Sequence, residues 1–196
     1  MKKYPLFLKN QIIIIALVLL SSLTQCQNKS LINYKDTNVS FTYPAKWETA
    51  SSDIKSAFQK QLNEQLNVYD GKILELEIFI LESANSAMLV FDKAKVADTL
   101  TMDFLLKQRK QVENDAMASG YVTKLNILEI KKVNGISMLI EDFNATNGNN
   151  SGRSYGMKTI VKSVIYEFTV AGINNNDFSV YKGYLDKIIN SFSLKK

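Results

Sequence analysis

The stretch YVTKLNILEIKKVNGISMLIEDFNA, residues 121–145, decides the fold class. Tyr121 to Lys132 and Ile136 to Ala145 read as strands, and Asn134-Gly135 between them is the pair that favours a tight hairpin. Downstream, Asn147-Gly148-Asn149-Asn150-Ser151-Gly152 reads as a flexible polar turn whose glycines can take positive φ. It has no closing Gly-Lys-Ser or Gly-Lys-Thr, so it is not a phosphate loop. Arg153–Val161 and Val164–Ala171 continue the meander, the latter placing Val164, Tyr166, Phe168 and Val170 on one face. Successive strands joined by short turns predict an antiparallel sheet.

Working outward, the residues upstream supply helices and a second set of strands. Val39-Ser40-Phe41-Thr42-Tyr43 alternates as a half-buried strand should, and Pro44 ends it because proline offers no ladder donor. Trp47 follows as a core or rim anchor, with ligand stacking as the alternative, so Tyr43 and Trp47 are the candidate surface or ligand-contact aromatics. Ser52 to Asn67 predicts a helix capped by Ser52 or Asp53, with Ile54, Ala57, Phe58, Gln61, Leu62 and Leu66 at helical spacing. Asp70-Gly71 signals a turn, and from Lys72 the period is two. Leu74, Leu76, Ile78 and Ile80 face one way, while Glu75 and Glu77 face the other as solubilising groups.

Ser86 to Lys93 reads as the return strand of a hairpin. Ala97 to Ser119 reads as a long helix capped by Asp98 or Thr99, with Thr101, Phe104, Leu105, Gln108, Val112 and Ala116 on its inner face. Lys107, Arg109 and Lys110 fall on or beside its exposed side, either simply solvated or in weak contact with an anionic membrane. The last helix, Phe178 to Ser191, carries Tyr181, Tyr184, Leu185, Ile188 and, just beyond, Phe192 as a broad apolar stripe that can cover the sheet. The class is α+β, an antiparallel β-sheet packed with helices.

The first 25 residues are of another kind. Lys2, Lys3 and Lys9 make a basic leader, and Ile12 to Leu20 is an apolar run of nine residues. That is too short for a membrane-crossing helix of about 17 to 25 residues and suits a secretory signal. Leu23-Thr24-Gln25-Cys26 then resembles the bacterial lipoprotein signal, in which the cysteine thiol receives a diacylglyceryl group and the chain is cut just before it. Gln25 stands where that motif ordinarily has a small residue. An uncleaved anchor and an incidental cysteine are the alternatives. The expected organisation is a signal peptide over 1–25, a lipidated Cys26 with a short polar tether to 37, and one domain over 38–196. Two or three acyl chains bury enough methylenes, at roughly 0.8 kcal/mol each, to hold the chain on the bilayer. Gln27 is not the aspartate that often retains such lipoproteins in the inner membrane. In a cell with two membranes the resemblance therefore implies the outer one, facing the periplasm.

Composition removes several classes. The chain carries 24 basic and 19 acidic side chains, but three of the lysines lie in the leader, so the remainder is only +2. Its two arginines, Arg109 and Arg153, are far apart, and no basic face for nucleic acid is expected. There is no histidine, hence no imidazole base or ligand, and acylation of the single cysteine would remove thiol chemistry as well. We expect no catalytic, cofactor-binding or metal-ligating residues.

The segment Phe41-Thr42-Tyr43-Pro44-Ala45-Lys46-Trp47, the Asn134-Gly135-Ile136 turn, the Tyr166-Glu167-Phe168 strand and the closing Ile188-Ile189-Asn190-Ser191-Phe192 together resemble the Mog1/PsbP-like family, including its DcrB-like bacterial lipoproteins. The likeness spans roughly Asn38 to Leu194. It implies an α/β sandwich and a binding or accessory role, since one branch of the family supports the oxygen-evolving photosystem and another engages a small GTPase. The expectation is an extracytoplasmic envelope lipoprotein, not an enzyme, bound to the bilayer through Cys26 and to a protein partner of the envelope. A small-ligand carrier with a groove between sheet and helices is the second reading.

Overall fold

The computed structural model describes residues 31–44, 48–66, 71–80, 88–118, 122–147, 150–172 and 175–195. In chain order they form β1 (Leu31–Lys35), β2 (Val39–Pro44), β3 (Glu48–Thr49), α1 (Ser52–Leu66), β4 (Lys72–Ile80), β5 (Met88–Lys95) and α2 (Met102–Ala118). There follow β6 (Val122–Val133), β7 (Ile136–Asn147), β8 (Asn150–Val161), β9 (Val164–Gly172), α3 (Asn175–Ser191) and β10 (Ser193–Leu194). Seven strands make one antiparallel sheet in the order β3-β4-β5-β9-β8-β7-β6, and β1-β2-β10 make a second, three-stranded one. The fold is α+β, as the meander implied.

Both faces of the large sheet are covered, so its central strands alternate between two apolar environments instead of between oil and water. On one face Leu89, Phe91, Met138, Ile140, Met157 and Phe168 pack against α3 and against Val39 and Phe41 of the small sheet. On the other, Ala94, Leu139 and Ile165 meet Leu105 of α2 and Leu66 of α1, while Ile78 and Val90 meet Phe58. The hairpin between β6 and β7 turns through Asn134 at φ 52° and Gly135 at φ 80°, the left-handed pair that an Asn-Gly turn supplies. Asn134 Nδ2 also donates to the carbonyls of Asn190 and Phe192, at 2.9 and 3.0 Å, and so fastens the meander to the end of α3.

Several boundaries differ from the sequence reading, each for a local reason. Leu31–Lys35 is not tether but a strand, paired along its whole length with Ser40–Pro44. Helix α2 starts at Met102, because the Thr101 hydroxyl takes the Phe104 N–H and Ala97–Leu100 closes a turn of its own. Its inner face is Met102, Leu105 and Arg109, whereas Phe104 is 43% exposed. In α1 the capping oxygen is that of Ser51, at 3.5 Å from the Ile54 N–H. A register shift between Ile73 and Glu75 expels Leu74, which is 49% exposed, so Ile73 takes its place inside. The expected polar turn near 147–152 shrinks, since Asn147 already pairs with Asn150.

The leader, Cys26, Trp47, Asn67, Asp70, Ser86, Ser119, Gly120 and Tyr121 lie outside the described residues. Among the described residues no helix is long and apolar enough to cross a membrane.

Candidate functional site

The small sheet lies on the large one as a hairpin, and a cleft opens where it meets β4. Its floor is buried: Phe41 of β2, Leu89 and Phe91 of β5, Phe168 of β9 and Ile188 of α3. Its rim is half-buried: Tyr34 of β1, Tyr43 of β2, and Glu75, Glu77 and Phe79 of β4. The period-two pattern of β4 turns these last three toward the hairpin while Leu76 and Ile78 face α1. The cleft offers about 40 Å³ to water-sized occupants, room for three or four waters.

The rings around it are packed in contact. Tyr34 stacks on Phe41 at 4.5 Å, Phe41 meets Phe168 edge-on at 4.8 Å, and Tyr43 leans on Phe79 at 5.6 Å. Such pairs add roughly 0.5 to 1.5 kcal/mol each beyond the area they bury. Tyr43, expected from sequence at a surface or ligand contact, therefore stands on the rim.

Polar bonds hold the hairpin down. Asp36, in the β1–β2 turn, accepts from the N–H groups of Asn38 and Val39 at 2.7 and 2.8 Å and from the Tyr166 hydroxyl at 2.8 Å. It also pairs with the Lys93 ammonium at 2.7 Å. Burial alone would raise the Asp36 carboxyl, but Lys93, the two amides and Tyr166 outweigh it and bring the pKa down to about 2. Across the cleft the Tyr34 hydroxyl donates to Glu75 Oε2 at 2.6 Å, and Lys55 of α1 pairs with Glu77 Oε2 at 2.6 Å. Burial, and then the bond to Glu75, push the Tyr34 phenol well above its ordinary range, so it stays a neutral donor. Glu75 and Glu77 are thus not a purely solvated face, which corrects the reading of β4.

A second polar cluster lies on the opposite face, beneath the helices. Arg109 Nε donates to Glu141 Oε2 at 2.9 Å with its guanidinium 4.4 Å from the Phe143 ring centre, and Lys158 bridges Glu141 and Glu167 at 3.8 and 3.0 Å. Asp92 sits next in the row, directly opposite Glu167. Burial, then the Glu167 charge, raise the Asp92 carboxyl well above its ordinary value, and burial raises Glu167 as well. Glu141 is held low, because Lys158 and Arg109 together outweigh its burial. Arg109 is only 7% exposed and so drops out of the expected basic cluster, of which Lys107 and Lys110 remain exposed. The signal missed in sequence was that Arg109 falls one turn beyond Leu105, on the buried face. This row consists of the ion pairs of Arg109, Lys158, Glu141 and Glu167, with the Asp92 carboxyl raised beside them. The Thr169 hydroxyl donates to Glu167 Oε1 at 3.3 Å.

Among the described residues no group of three or more His, Cys, Asp and Glu side chains is arranged to hold a metal ion.

No family model and no curated protein matches the chain. Among solved structures, that of cyanobacterial PsbP (CyanoP) from Synechocystis sp. PCC 6803 is similar at 17% identity and a TM-score of 0.59, with 90% of this chain and 99% of that chain covered. The chain has a PsbP-like fold. LpqN, involved in cell envelope biogenesis of Mycobacterium tuberculosis, is matched at 8% identity and a TM-score of 0.49, covering 86% of this chain and 91% of that one. PA94 of Pseudomonas aeruginosa, a protein of unknown function, is matched at 11% and 0.45, covering 85% and 98%. At these identities the likeness is one of fold, and the last two scores bear on nothing further.

Proposed function

We propose that the chain is a non-enzymatic accessory module of the bacterial cell envelope, a DcrB-like lipoprotein held on the membrane by Cys26, whose cleft at Tyr43 receives a protein partner. In a cell with two membranes it would sit on the outer one, facing the periplasm. The observation that carries the partner reading is the cleft itself: a buried apolar floor ringed by half-buried tyrosines, a phenylalanine and two carboxylates. Such a rim matches the aromatic-rich anchoring patches of protein interfaces. The leader and Leu23-Thr24-Gln25-Cys26 support the tether, and the PsbP-like fold supports an accessory role by analogy alone.

At this cleft a small-molecule carrier role is disfavoured by space. Small-molecule sites run to roughly 300–1,000 Å³, against about 40 Å³ in this cleft.

Two experiments test the proposal. Palmitate labelling is expected in the wild-type chain and lost in Cys26→Ser; labelling indifferent to that change removes the anchor. Crosslinking in intact cells should recover one reproducible envelope protein at native abundance, and repeated failure to do so removes the partner role.

A further inference from the structure

We infer that the cleft recognises an alkylammonium group, the end of a lysine side chain presented by the partner; this rests on the partner role proposed above and gives its chemistry. Three observations converge. First, Glu75 lines the cleft with no cation within ion-pair distance among the described residues, whereas Glu77 is already matched by Lys55 and Asp36 by Lys93. One oxygen of Glu75 accepts the Tyr34 hydroxyl, which leaves its other oxygen for a donor.

Second, the rest of the rim is aromatic. Tyr34, Tyr43 and Phe79 line the cleft beside that charge, and an ammonium that meets a ring face is attracted electrostatically. An anion would meet two carboxylates, and a neutral apolar tip would leave Glu75 without a counter-charge.

Third, the size is selective. About 40 Å³ for water-sized occupants, at roughly 10 to 15 Å³ for each, admits three or four heavy atoms in a row. That is an ammonium with two or three methylenes behind it. A trimethylammonium head is bulkier. A guanidinium carries three nitrogens around one carbon and is broader than such a row. A point charge on a flexible stem satisfies a single acceptor.

The test uses the full chain in detergent micelles, with n-butylammonium chloride and its neutral counterpart n-butanol as probes, read by NMR at the ring protons of Tyr34, Tyr43 and Phe79. Saturable shifts are expected with n-butylammonium, at least tenfold weaker with n-butanol, and at least tenfold weaker for n-butylammonium in Glu75→Gln. Equal response to the two probes, or no saturable response to n-butylammonium, overturns the inference. That comparison is made on the wild-type chain and holds even if Glu75→Gln fails to fold. A folded Glu75→Gln that binds n-butylammonium like wild type overturns it too. If crosslinking recovers a partner whose yield is unaffected by excess n-butylammonium, the partner role stands and the ammonium chemistry falls.

Discussion

The Tyr34 hydroxyl donates to Glu75 across 41 residues of sequence at 2.6 Å, joining the small sheet to β4 of the large one. Tyr34 also stacks on Phe41, so one side chain contributes both a ring to the hairpin's packing and a donor to β4. Tyr34→Phe keeps the ring and removes the donor. A net loss of about 1 kcal/mol is expected, or roughly 2 to 4 °C in Tm for a chain of this size, measured by thermal unfolding.

Asp36 gives the hairpin its pH dependence. Its carboxyl has a pKa of about 2 in the folded chain against an ordinary 3.8. The unfolded chain therefore takes up the proton first as pH falls. The stabilisation is whole above about pH 5 and drains away between roughly pH 4 and 2, on the order of 2 kcal/mol in all. Urea unfolding from pH 6 to 2 should show this loss in wild type and a flatter profile in Asp36→Asn. That variant starts lower at pH 6, because Lys93 then lacks its counter-charge.

Asp92 works in the opposite sense. Its folded pKa is raised, so between the ordinary carboxylate range and that higher value the unfolded chain ionises while the folded one does not, and stability falls as pH rises. Asp92→Asn removes the titration and keeps the shape. It is expected to stabilise the protein at pH 8 by about 1 kcal/mol, with the gain shrinking toward pH 4, as read by denaturant midpoints at the two pH values.

Arg109 ties α2 to the buried Glu141 charge, which Lys158 of the sheet also faces. Arg109→Met removes the 2.9 Å ion pair from the buried Glu141 charge and should cost about 3 kcal/mol by thermal unfolding. Adding Glu141→Gln should recover part of that loss, which a purely steric role for Arg109 would not allow.

How much of this was legible in the sequence follows from the range of each interaction. The meander was legible because Asn134-Gly135 and the period-two runs are local signals, and the apolar stripe from Tyr181 to Phe192 gave α3 its inner face before any partner was known. Tyr43 was a candidate surface or ligand-contact aromatic, and the cleft it lines takes shape only where β2 lies against β4. What could not be read were matters decided by distant residues. Leu31–Lys35 is polar enough to look like tether, and it becomes a strand because Ser40–Pro44 offers it an edge. Glu75 looks like any solvated strand carboxylate until Tyr34 arrives from the far side of the hairpin. Lys107-Gln108-Arg109-Lys110 reads as one basic surface, yet helical geometry sends Arg109 inward to Glu141. The register shift that expels Leu74 has no glycine or proline to announce it.

The cleft as a partner-binding face is tested most directly by a photo-crosslinking amino acid placed at Tyr43, on its rim, and, as a control, at the exposed Lys107 of α2 in the full chain in its native host. The account predicts one reproducible envelope-protein adduct from position 43 that is absent or at least tenfold weaker from position 107. Equal adducts from both positions, or none from position 43, would contradict it.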